Sequence, residues 1–316
     1  MARNIKPRIS SRWILYAALL LAGMLTGMVA QKYLGLGNIL RAVGVPYPTA
    51  GAPLSSSVAP LEIPKEYQGE MRLFILAGQS NMVGWAPVPD GEKTDPHIYV
   101  FGKDYRWRIA DHPIEDAFNQ VDMVSENRIA GFGPAMDFAF ASLERHPDIV
   151  IGLIPCAKNS SAIIQWQRDL SDQSLYGSCL KRVRAASVMG EISGLLFFQG
   201  EQDAVDPIEY PQPEPHPDEW AQLFSAFITN FREDLKQPAL PVVYAQLGSD
   251  ATTAGFPYWE VVKEQQKSIT LPMTAMITTD DLPLMDGLHF TTDSYRIIGK
   301  RFAEAFWELN QLEPAK

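Results

Sequence analysis

The sequence predicts an α/β domain on a mostly parallel sheet, with helices on both faces, over residues 67–316 behind an N-terminal transmembrane helix. Three observations lead there. Short apolar runs closed by Gly, Pro or a polar residue recur at Leu73–Ala77, Asp148–Pro155, Gly194–Gln199 and Pro241–Leu247, as expected of strands buried on both faces. Segments with helical apolar spacing lie between them, so strands and helices alternate in the manner of a three-layer α/β/α domain. The roughly 250 residues behind the N-terminal region suit one domain with a full core.

The elements follow in chain order. Arg3, Lys6, Arg8 and Arg12 precede Trp13–Ala30, eighteen residues without a charge. That run is just long enough to span a bilayer and exceeds the ~7–15 apolar residues usual in a cleaved signal. Cleavage after Ala30 would place the bulky Met28 where a small residue is expected. An uncleaved anchor is therefore expected, with residues 1–12 as its basic cytoplasmic flank and the rest exported; a cleaved secretory signal is the alternative. Residues 31–66 form the expected stalk, rich in Pro, Ser, Ala and Gly beyond Pro46 and unable to bury enough apolar surface to offset chain entropy.

Within the domain, Leu73–Ala77 is the first strand, and His97–Ile109 makes a hairpin turning near Gly102-Lys103-Asp104. A helix over Pro134–Glu144 starts at a proline suited to a first helical position. The strand Asp148–Pro155 follows, then a helix over Leu175–Met189 and the strand Gly194–Gln199. Trp220–Leu235 and Tyr258–Ile269 are helices on either side of the strand Pro241–Leu247, and Thr274–Thr279 is the last strand before a helix over Asp293–Leu309. Asp206–Asp218, with five prolines among acidic residues, is an extended surface loop, and His216 is a solvated loop histidine.

Composition excludes several classes. The 27 basic and 37 acidic residues give a net charge of −10, and without the basic flank the balance is −14, so nucleic acid is not an expected partner. No Cys/His cluster has metal-ligand spacing and no Gly-rich loop resembles a phosphate cradle, so no metal or cofactor is implied. Cys156 and Cys179 leave two arrangements open: a disulfide, valued at ~3 kcal/mol by loop-closure entropy, or a buried free thiol at a strand's end.

The chemistry centres on Ser80. In Phe74–Gly84, FILAGQSNMVG, an apolar strand stops at Gly78 and delivers a serine to the carboxyl edge of the sheet, where binding crevices of open α/β folds lie. Gly-Gln-Ser-Asn is also ordinary turn chemistry, and a second motif has to decide. Asp286-Gly287-Leu288-His289-Phe290 supplies one, because a serine hydroxyl needs a base and the base works best when a carboxylate fixes its tautomer. A lone Asp-x-x-His is weak, but parallel topology brings its loop and Ser80 to the same edge.

GQSNM at 78–82, QGEQDA at 199–204 and DGLHF at 286–290 resemble the SGNH hydrolases, in particular their sialate O-acetylesterase and acetylxylan esterase branch, over roughly Met71–Leu309. The resemblance implies a flavodoxin-like fold, Ser80 as nucleophile, His289 as base and Asp286 as its orienting acid. It also implies an oxyanion hole from the N–H groups of Ser80 and Gly133 and the side-chain amide of Gln199. Gln79, Asn81, Trp85, Asn159, Trp166 and Glu201, all close in sequence to these segments, are the candidates for contact with substrate. Where relatives carry Gly-Gly-Thr, this chain has Ala157-Lys158-Asn159-Ser160-Ser161; Asn tolerates positive φ, so the turn can persist with a more polar wall. The implied activity is removal of small acyl groups, acetyl first, from an acetylated carbohydrate. A catalytically silent sugar-binding module and a lipid or thioester hydrolase remain as alternatives, because fold does not give substrate. The oligomeric state is not legible.

Overall fold

The computed structural model describes residues 59–117, 120–122, 129–249 and 255–311. The expected basic flank, membrane helix and most of the stalk lie outside these residues. Among the described residues no helix is long and apolar enough to cross a membrane. Ile63, at the end of the expected stalk, is buried in the core, and the Leu61 N–H donates to the Trp107 carbonyl at 3.0 Å.

Seven strands form one sheet: β1 Met71–Gly78, β2 Ile98–Phe101, β3 Trp107–Ile109, β4 Ile151–Pro155, β5 Gly190–Phe198, β6 Val242–Ala245 and β7 Thr274–Ile277, in the order β3-β2-β4-β1-β5-β6-β7. Every pairing is parallel except the β2–β3 hairpin. The chain builds β2 and β4 on one side of β1 and then crosses to β5 on the other. β1 and β5 thus flank the point where the strand order reverses, which is where such sheets bind ligands.

Alternation along β1 shows the three layers. Met71, Leu73, Ile75 and Ala77 face one core with α3 (Leu175–Ala186), α4 (Trp220–Leu235) and α5 (Trp259–Lys267). Phe74 and Leu76 face the other with α2 (Ala135–Arg145) and α6 (Thr292–Gln311), where Phe74 meets Phe138 and Phe306 edge-on at 4.8 and 5.0 Å. Several boundaries differ from the sequence reading, β4 for one starting at Ile151 and not at Asp148. β5 begins at Gly190, because Gly190–Ile192 pair with Met71–Leu73 across a register shift. Glu191 and Ser193 break the apolar run that would have marked it. The helix expected to reach Met189 is α-helical to Ala186 and finishes as a 3-10 turn, Ser187–Met189. Cys156, just past β4, is bonded to Cys179 of α3, with their Cα atoms 5.4 Å apart, which resolves the open choice between bridge and thiol.

Candidate active site

The site begins where β1 ends. Gly78 has φ +128°, and a Cβ there would lie 2.1 Å from the Phe198 carbonyl oxygen, so only glycine lets β1 and β5 approach this closely. The chain then enters the short helix α1 (Ser80–Val83) with Gln79 as its extended cap. As the first residues of a helix, Ser80 and Asn81 have N–H groups without a carbonyl partner in their own turn. Gly133 stands against this turn: a Cβ on it would fall 2.8 Å from the Gly84 Cα.

The loop before α6 carries the other half. His289 Nε2 lies 2.9 Å from Ser80 Oγ, and His289 Nδ1 lies 2.7 Å from Asp286 Oδ2. Asp286 Oδ1 accepts the backbone N–H groups of Leu288 and His289 at 3.0 and 2.7 Å, which locks the carboxylate in the tight turn. Burial pushes the Asp286 carboxyl up, but the His289 ring and these N–H donors outweigh it and hold the group below the usual carboxylate range. Trp85, half-buried, stacks on the imidazole with ring centroids 4.5 Å apart and planes 15° from parallel. A hydroxyl, an imidazole and a carboxylate are thus lined up, with one face of the imidazole covered. Such a chain can move a proton from Ser80 to His289 while Asp286 offsets the charge that forms.

Other residues expected at the site are placed elsewhere. The Gln199 amide is fully buried and bonded to interior groups. Its Nε2 donates to Asp203 Oδ2 at 2.6 Å, the Ser161 carbonyl at 2.9 Å and Gln79 Oε1 at 3.2 Å, while its Oε1 accepts the Trp220 indole N–H at 2.9 Å. Two amide hydrogens facing three internal acceptors leave none for an oxyanion, so the expected donor is an interior tie. Trp166 has no exposed surface; it packs on Phe197 and Phe227 at 5.9 and 5.5 Å and donates to Ser161 Oγ, so it is core and not a sugar platform. Gln79 is also internal, its Oε1 accepting the Gln202 N–H at 3.2 Å. Asn81 and Glu201 are each 1% exposed and bond to each other, out of reach of a substrate.

Asn159 lies half-buried and donates to the Ile129 carbonyl at 2.9 Å. Its segment keeps a left-handed residue, but at Ser160, φ +57°, and not at Asn159. The segment is tied to β1 by Lys158 N–H and Ser161 Oγ, both donating to the Gly78 carbonyl at 2.9 and 3.2 Å. Asp203 is the hub: its carboxylate also accepts the Ile163 and His216 N–H groups at 2.8 and 3.0 Å. Burial pushes its carboxyl up to about 6 against these donors. Tyr295, whose hydroxyl donates to Asn81 Oδ1 at 2.6 Å, carried no signal, since an aromatic residue on an amphipathic helix reads as core.

A mostly parallel sheet with serine, histidine and aspartate aligned at its carboxyl edge is the layout of SGNH-like hydrolases. Residues 70–308 match the family of carbohydrate esterases described as sialic acid-specific acetylesterases, and the chain belongs to that family. It is 30% identical over 272 residues to a probable carbohydrate esterase of Arabidopsis thaliana, covering 79% of this chain and 96% of the relative. The X-ray structure of an Arabidopsis thaliana protein superposes with a TM-score of 0.64 at 29% identity, covering 76% of this chain and 99% of that one. The crystal structure of NanS (TM-score 0.60, 19% identity, 78% and 99% covered) shares the fold. So does that of a carbohydrate acetylesterase from Xanthomonas citri (TM-score 0.56, 21% identity, 77% and 57% covered). By family, the protein is an esterase.

Proposed function

We propose that the protein removes O-acetyl groups from carbohydrate by a double displacement at Ser80. The observation that carries this reading is the chain Ser80 Oγ, His289 Nε2, His289 Nδ1, Asp286 Oδ2, with steps of 2.9 and 2.7 Å. His289 takes the Ser80 proton as Oγ attacks the ester carbonyl, and Asp286 stabilises the imidazolium. The N–H groups of Ser80 and Gly133 hold the oxyanion, with Gln199 no longer among the donors. His289 then returns its proton to the departing sugar alcohol, and water, deprotonated by His289, releases acetate from the acyl-enzyme. Trp85 borders the imidazole and is the aromatic surface that a sugar ring would meet. We place this domain outside the cytoplasm, tethered through Trp13–Ala30, a reading supported by the uncharged run and by a disulfide that an oxidising compartment favours.

The test is acetate release by the full chain from acetylated sialosides and acetylated xylan, with Ser80→Ala alongside. Serine-dependent release is expected, and the ranking of substrates names the sugar. Release unchanged in Ser80→Ala would end the reading.

A further inference from the structure

Asn81 follows the serine and is almost wholly buried, so its side chain serves the protein and not a substrate. Its Nδ2 donates to Glu201 Oε1 and, at 3.3 Å, to the Leu288 carbonyl, while its Oδ1 accepts the Tyr295 hydroxyl at 2.6 Å. These partners come from three separate segments: the turn after β5, the loop between Asp286 and His289, and α6. The Leu288 carbonyl can only accept, so the amide nitrogen of Asn81 is the atom that faces it.

Glu201 completes the arrangement. It is buried, and among the described residues its Oε2 has no hydrogen-bond partner. Among the described residues, the titratable groups that act most on it are His289 and Asp203. An ionised carboxylate so placed would be an uncompensated buried charge, and burial pushes the group toward its neutral acid. As an acid it still offers Asn81 the oxygen that Oε1 supplies.

We propose that Asn81 is a positioning residue that sets His289 relative to Ser80 by holding the Leu288 carbonyl, and that Glu201 acts through Asn81. The inference rests on the Ser80–His289–Asp286 reading. It follows from chain geometry: Leu288 is the residue before His289, so the brace fixes the backbone from which the imidazole projects. Misplacement of a reacting group by about 1 Å costs about a hundredfold in rate.

The experiment uses the full chain and an aryl acetate, measuring kcat and KM separately. Asn81→Ala is expected to lower kcat by roughly 10- to 100-fold with KM within about threefold of the parent. Glu201→Ala should fall similarly, and Glu201→Gln, which keeps the acceptor oxygen, should stay within about threefold of the parent. Because Glu201 acts through Asn81, the double variant Asn81→Ala/Glu201→Ala should be no slower than Asn81→Ala. Parental kcat in Asn81→Ala, an effect on KM alone, or losses that multiply in the double variant would each overturn the proposal. If Asn81→Ala does not fold, Tyr295→Phe and the two Glu201 variants decide, and parental kcat in Tyr295→Phe and Glu201→Ala overturns it. Ser80→Ala separates the two readings: an active Ser80→Ala removes the triad itself, whereas an inactive one beside an unaffected Asn81→Ala removes only the brace.

Discussion

Asp286 and Asp203 both sit on turns at the carboxyl edge of the sheet and both accept backbone N–H bonds, yet their surroundings part them. The Asp286 side chain is 37% exposed and bonds to His289, and its carboxyl is held low. Asp203 has no exposed surface, bonds to Gln199 and two backbone N–H groups, and is pushed up to about 6 by burial. The His289 ring and two backbone N–H donors keep one carboxylate charged beside the imidazole. Burial makes the other a scaffold group that fixes the Ser161 loop and the end of β5. The same side chain thus carries a charge beside an imidazole in one turn and ties the scaffold in the other.

The largest effect that would break this contrast comes from Asp286→Asn, which keeps the shape but not the charge. It should lower kcat by roughly 10²- to 10⁴-fold with little change in melting temperature, toward the lower end because water already reaches Asp286. A loss of stability without loss of kcat would reverse the assigned roles.

Gln199→Ala should do the opposite. It leaves Asp203 and the Trp220 indole short of buried partners, so a loss of roughly 2–4 kcal/mol in stability is expected, with kcat of the folded variant within about threefold of the parent. Denaturant unfolding beside kcat measures both; a kcat loss of the size typical of an oxyanion donor would return Gln199 to the hole.

A smaller effect concerns pH. The Asp203 carboxyl rises from 3.8 to about 6 on folding, so between those values the folded state holds more protons than the unfolded one. Its contribution to stability is full below 3.8, declines as pH rises to about 6, and is flat above, a total of roughly 3 kcal/mol. The stability difference between parent and Asp203→Asn should therefore shrink over that window, and parallel curves in urea melts would refute the assignment. The smallest effect expected is in Trp85→Ala, about 0.5–2 kcal/mol of barrier, from loss of the ring that faces the imidazolium. Full activity with a weakened KM for sugar esters would make Trp85 a substrate contact alone.

The sheet was legible because strands buried on both faces are written as unbroken apolar runs, and the order of helices between them forces parallel pairing. Ser80, Asp286 and His289 were legible as a set because topology carries their loops to one edge. Side-chain direction was the harder part. Gln199 lies two residues beyond Phe197, and strand alternation sends it to the same face, toward Trp220, whatever its motif suggests. Trp166 is drawn inward by Phe197 and Phe227, contacts that nearness to the site segment cannot reveal. Asn81 and Glu201 turn from the cleft because Tyr295 and Leu288, over 200 residues from Asn81, meet it inside the fold.

Acid quench of the full chain during turnover of an aryl acetate, followed by peptide mass spectrometry, tests the central claim most directly. The account predicts one acetyl group on the peptide containing Ser80, absent from Ser80→Ala, which should also release no acetate. Acetate release by Ser80→Ala, or an acetyl group on another residue in the parent, would contradict it.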